Sequence, residues 1–189
     1  GDAVAEVLDK QIVAAGGRFR GIRQGGAWHE SAGVPNHRTA PSPTMYLDAK
    51  FREGFKHLAP RGLTFEGWCY HTQIEALTDL ARAFPDTTII LDHFGGPVGV
   101  GPYAGKADEV FAAWKKAMAP IAAFENVVAK LGGINMVVNG FALHERATPP
   151  GSEELMLATR RYYEHTLELF GADRCMFESN FPVDKVSCS

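Results

Sequence analysis

Residues 87–97 read TTIILDHFGGP: β-prone and apolar side chains from Thr87 to Leu91, then an acid, an imidazole and two glycines. A run of that length and composition predicts a strand buried on both faces, as in a parallel sheet. The chain around it repeats one pattern. On the N-terminal side, QIEALTDLARAF (73–84) puts Ile74, Leu77, Leu80, Ala81 and Phe84 on one helical face and is closed by Pro85-Asp86, and LTFEGWCYH (63–71) precedes it as a strand. On the C-terminal side come a glycine-rich loop, the helical ADEVFAAWKKAMAPIAAFE (107–125) with a possible break at Pro120, and the strand NVVAKLGGI (126–134).

Further out, SEELMLATRRYYEHTLELF (152–170) reads as a helix with Ser152 as its expected N-cap and Gly171 as its stop, followed by the strand RCMFESNFP (174–182). Toward the start, DAVAEVLDKQIVAA (2–15) has Val4, Val7, Leu8, Ile12 and Val13 at helical spacing and ends on Gly16-Gly17; RFRGIRQ (18–24) is a strand, and YLDAKFREGFKHLAP (46–60) a helix stopped at Pro60. Five strands alternating with helices define an α/β chain with a parallel sheet, either an open doubly wound sheet or part of a (β/α)8 TIM barrel. The strand ends recur about every 39 residues, so eight units need about 310, inside the range of such barrels. A chain that begins in a helix and stops just after a strand reads as one barrel domain, residues 1–189, truncated at both ends and holding about five of eight units.

Composition narrows the function classes. The 189 residues are 46% hydrophobic and 22% charged, with 19 basic against 22 acidic side chains and a net charge of -3. There is no run of like charge of the kind nucleic acid or an anionic membrane attracts, and no apolar stretch approaches the roughly 20 residues of a membrane span. The expectation is a cytoplasmic protein acting on a small molecule, with no nucleic-acid or membrane partner. Cys69, Cys175 and Cys188 are odd in number and lack a C-x-x-C pair, which favours free thiols over a disulfide or thiolate zinc site.

In both parallel architectures chemistry sits at the C-terminal ends of the strands. There the chain places Arg23, Tyr70 and His71, His93, Lys130, and Glu178, Ser179 and Asn180. His93 stands out, since it ends an apolar strand, follows Asp92 and precedes glycines that keep the space around it open; a neutral imidazole there suits metal ligation, carbonyl polarisation or proton transfer. His71 either caps the next helix or touches substrate, and strand alternation does not allow both Tyr70 and His71 to face inward. His29, His37 and His144 fall in loops able to roof a site, and His57 and His165 lie on helices. Gly99, Gly101 and Ala104 satisfy G-x-G-x-x-A, but Gly99 lies six residues past His93, with Pro102 and Tyr103 intervening before any helix, so a dinucleotide fingerprint is not expected.

FRGIRQ, FEGWCYHTQ, TIILDHFGGP, VVAKLGGI and GADRCMFESNFPVDK together resemble the amidohydrolase-related proteins, a TIM-barrel group of metal-dependent hydrolases that includes dicarboxylate and sugar lactonases. The resemblance runs from about residue 18 to the end. It implies a hydrolase opening a lactone or related C–O or C–N bond of a small carboxylated substrate; non-oxidative decarboxylation and a catalytically silent binding barrel are the alternatives. It carries His93 over as a metal ligand or a contact to the scissile carbonyl, and Asn180 onto a position where many relatives have Asp, where it would orient rather than deprotonate. Arg23, His71 and Lys130 are the candidate substrate-binding residues. The family's opening H-x-H is absent from this sequence. No metal ligand is therefore assigned here, a divalent metal such as zinc is expected only with further strands, and metal-independent chemistry stays open. Two exposed parallel edges and a missing part of the site predict weak or no activity and a homo-oligomerising tendency for this stretch alone.

Overall fold

The computed structural model describes residues 2–39 and 41–188. Its elements run α1 (Asp2–Ala14), β1 (Gly21–Gly25), α2 (Ala49–Phe55), β2 (Thr64–Trp68), α3 (Ile74–Ala83), β3 (Ile89–Leu91), α4 (Ala107–Ala122), β4 (Val127–Leu131), α5 (Ser152–Phe170) and β5 (Cys175–Phe177), with short 3-10 turns in several of the connections. All five strands pair in parallel in the order β1-β2-β3-β4-β5. That order separates the two architectures the sequence left open. A doubly wound sheet reverses its strand order at a switch point, whereas strands that add in one direction make the wall of a barrel.

The two faces of the sheet differ by strict alternation. Phe65, Ile89, Leu91, Val127 and Ala129 are fully buried in one core with Leu77, Leu80, Trp114, Met118 and Ile121 from α3 and α4. α1 adds its Val4–Leu8–Ile12 stripe to this core, while Val7 and Val13 face outward. The opposite face carries Arg23 opposite Glu66, Glu66 opposite Ile90, and Lys130 opposite Met176. Ile90 is 8% exposed, so β3 is apolar on both faces, as its composition requires.

Three local expectations change. Segment 46–60 is not one helix: Asp48 adopts extended backbone, accepts a hydrogen bond from Phe51 N at 2.8 Å and starts α2 there, after a separate 3-10 turn over Met45–Leu47. Pro60 lies inside a second such turn, Ala59–Arg61, beyond the helix end. Ser152 is the first residue of α5 and Gly151 the cap, with no side-chain cap bond. Pro120 falls in the last turn of α4, which continues to Ala122; the proline removes the single ladder bond to the Lys116 carbonyl without ending the helix there.

The glycine-rich loop after β3 is built for close backbone crossings. A Cβ on Gly99 would lie 2.2 Å from the Asn139 carbonyl oxygen, and one on Gly101 2.9 Å from the Gly33 backbone. These glycines let three strand-to-helix loops pack over the sheet end, which accounts for the spurious G-x-G-x-x-A spacing. The three cysteines are free.

Candidate active site

The strand ends converge on a buried polar cluster. β3 runs into four successive residues with left-handed backbone, His93 (φ 52°), Phe94 (φ 58°), Gly95 and Gly96. L side chains adopt that region at a cost of roughly 1–2 kcal/mol each, so something must hold the turn. Trp114 Nε1 donates to the Phe94 carbonyl at 2.6 Å, and Gly96 N donates to the His93 carbonyl at 3.0 Å. The turn aims the His93 ring across the sheet toward β4, where a Cβ on Gly133 would meet Nδ1 at 2.3 Å. The imidazole needs both a strained strand exit and a glycine opposite.

Around His93 the charges interlock. Arg23 Nη2 lies 2.9 Å from His93 Nε2, while Arg23 Nε sits 3.1 Å from Asp92 Oδ2. His93 Nδ1 is 3.3 Å from the Gly132 carbonyl and 2.5 Å from Glu178 Oε1. Lys130 Nζ reaches Glu66 Oε2 and Asp92 Oδ1 at 2.8 Å and Glu178 Oε2 at 3.7 Å. Asp92 is fully buried, and its oxygens, though within ion-pair distance of both cations, make no well-angled hydrogen bond. Burial therefore raises its carboxyl above the ordinary range, against the pull of Lys130 and Arg23. Burial draws the Lys130 ammonium down, but its ion pair with Asp92 and its hydrogen bond to Glu66 outweigh that and leave it above the usual lysine value. Burial also works to raise Glu178, yet His93 and the two cations hold it below the ordinary glutamate range.

Over this cluster opens a cavity of about 750 Å³, lined by Arg23, His37, Arg38, Trp68, Tyr70, His93, Asn180 and Phe181 among others. Trp68 stands edge-on to the His93 ring at 4.9 Å. Tyr70 hydrogen-bonds the Pro35 carbonyl, which pins the loop that roofs the cavity, and burial pushes its hydroxyl up to about 12.

The candidate residues divide accordingly. Arg23, His93 and Asn180 reach the cavity. Lys130 sits beneath it at 7% exposure, tied to carboxylates. His71 turns away: its Nδ1 accepts from Val98 N at 3.2 Å and its ring packs edge-on against Tyr103, so it organises the loop, and burial lowers its pKa to about 4. Asn180, itself left-handed at φ 49°, donates Nδ2 to Asp184 Oδ1 at 2.7 Å. Asp184 also accepts from Asn135 N, and burial raises its carboxyl. Glu66 is a member of the cluster that the strand-end pattern does not reach, although a charge in mid-strand at period two from Trp68 is the signal that marks it.

Five sequential parallel strands with a polar cluster and a cavity at their C-terminal ends define a piece of a TIM-barrel wall. The chain matches the amidohydrolase family across residues 1–189 and belongs to it. It is 37% identical over 186 residues to the uncharacterized protein y4mH of Sinorhizobium fredii, covering 98% of this chain and 54% of that one. It is 29% identical over 186 residues to an L-fucono-1,5-lactonase of Burkholderia ambifaria, covering 98% and 53%. An amidohydrolase crystal structure from Burkholderia multivorans superposes with a TM-score of 0.72 at 22% identity, covering 96% of this chain and 57% of that one. A second crystal form of that protein, with bound zinc, gives 0.68. The chain thus spans about half the length of the relatives it matches.

A divalent cation does not fit the donors present. Among the described residues no group of three His, Cys, Asp or Glu side chains converges as a ligand set. Both His93 nitrogens are engaged, Nε2 by a guanidinium, and the two Asp92 oxygens face Arg23 and Lys130, whose positive charges oppose a cation there. Also among the described residues, no helix is long and apolar enough to cross a membrane.

Proposed function

We propose that this chain supplies the substrate-facing wall of a hydrolase that opens a lactone, or a related C–O or C–N bond, in a small carboxylated substrate. One observation carries the reading: at the floor of the cavity a permanent cation, Arg23, and a proton-transfer group, His93, meet at 2.9 Å. Ester hydrolysis can use that pairing. The carbonyl oxygen gains negative charge as water adds, and a guanidinium offsets it; the water must lose a proton, and an imidazole takes it. The proton then passes to the ring oxygen as its bond to the carbonyl carbon breaks, so one lactone and one water become one hydroxy acid. Here Arg23 is the better carbonyl partner and His93 the better proton carrier, since Arg23 stays charged throughout.

Asn180 is in place to orient substrate or water, but its amide accepts no proton at neutral pH. Trp68 and Phe181 offer apolar walls, and Arg38 a second cation at the rim for a carboxylate. The lactonase among the relatives lends this reading support. The test is a panel of carboxylated lactones given to the protein in its complete coding frame, with ring opening followed by acid release at constant pH. Ring opening of at least one panel member is expected. Release of carbon dioxide in its place, or no turnover across the panel, overturns the proposal.

A further inference from the structure

The surroundings of His93 determine which of its nitrogens carries the proton. A guanidinium has only donors, so the Arg23 nitrogen 2.9 Å from Nε2 requires a lone pair there. A carbonyl and a carboxylate have only acceptors, so the Gly132 oxygen and Glu178 Oε1 beside Nδ1 require the proton on that side. Glu178 is half-buried, lies off the N–H axis that points to Gly132, and is itself near Lys130 at 3.7 Å. A carboxylate so placed suits a charge that appears only when the ring takes a second proton. We infer that Glu178 is a positioning residue: with the Gly132 carbonyl it holds His93 in the Nδ1–H tautomer, presents the Nε2 lone pair to the cavity, and balances the imidazolium that forms when Nε2 accepts a proton. Its catalytic consequence rests on the hydrolytic reading above, but the tautomer does not.

Arg23 adds a condition on access. In the free protein it covers the lone pair while its Nε stays on Asp92, so a substrate oxygen must draw the guanidinium from Nε2 before the base is free. An anionic or strongly polarised oxygen does this best.

The test is nitrogen NMR of the histidine rings at neutral pH, with the His93 signals assigned by their loss in His93→Gln. The native protein should show a protonated Nδ1 and an unprotonated Nε2. Glu178→Gln, whose amide can donate to Nδ1, should move both nitrogens toward intermediate shifts, and Glu178→Asp should restore the native pattern. A native ring protonated on Nε2, or a Glu178→Gln spectrum identical to the native one, overturns the inference. The native spectrum alone decides the tautomer should a variant fail to fold, and neither reading depends on finding a substrate.

Discussion

The same strands present two faces that obey different rules. Toward the helices, Phe65, Ile89, Leu91, Val127 and Ala129 are apolar and fully buried. Toward the concave side, Arg23, Glu66, Asp92, Lys130 and Glu178 place five formal charges on neighbouring strand ends. Burying hydrocarbon stabilises at roughly 25 cal/mol per Å² without a partner, whereas a buried charge costs several kcal/mol unless it is paired. The convex face holds the sheet together; the concave face is tolerable only as a network, and a network of that kind is what chemistry needs.

Lys130→Met should make the largest difference between the faces. It removes the cation shared by Asp92, Glu66 and Glu178 and leaves Asp92 buried with Arg23 alone, a loss expected at about 3–5 kcal/mol in denaturant unfolding. Next is Leu91→Ala on the other face, expected to cost about 2–5 kcal/mol through transfer and cavity terms while His93 keeps its contacts. A loss near zero for Lys130→Met would show that the concave charges contribute no net pairing.

Asn180→Asp should be smaller, at about 1–3 kcal/mol near neutral pH, since it removes the donor to buried Asp184 and sets two carboxylates together. Acidification should restore part of that loss as one of the pair takes a proton.

The smallest expected effect is a slope. The Lys130 pKa is raised in the folded protein, so its contribution is complete below the ordinary lysine value of about 10.4 and is lost as pH rises through the folded value. Glu178 runs the other way: its pKa is lowered, so its contribution is present above the ordinary glutamate value of about 4.3 and is lost as pH falls through the folded value. Denaturation midpoints against pH should show both flanks, and Lys130→Met should flatten the alkaline one.

The difference between the faces also explains what the sequence made legible. Apolar periodicity reports burial against helices, so the five strands, α3 and the existence of α1 were readable from TTIILDH and its neighbours, although Val7 and Val13 of the expected α1 set face outward. That His93 reaches the cavity was readable, because it closes an apolar strand just before glycines that keep backbone bulk away from it. Glu66 and Asp92 were harder, since a single charge in a strand looks the same whether it faces water or an ion-pair partner 64 or 38 residues away in sequence. The direction of His71 depended on where the strand gave way to a 3-10 turn, a boundary that periodicity does not fix. The split of segment 46–60 turned on one local bond, Asp48 to Phe51 N, which competes with an otherwise helical pattern.

Under the proposed function His93 carries the proton at the strand ends. Its most direct test is the ring-opening kcat/KM of His93→Gln against the native protein in its complete coding frame. A loss of about 10²–10⁴-fold, in a variant that still unfolds in one cooperative transition, is the predicted result. Activity within a few-fold of native in a folded His93→Gln protein would contradict it.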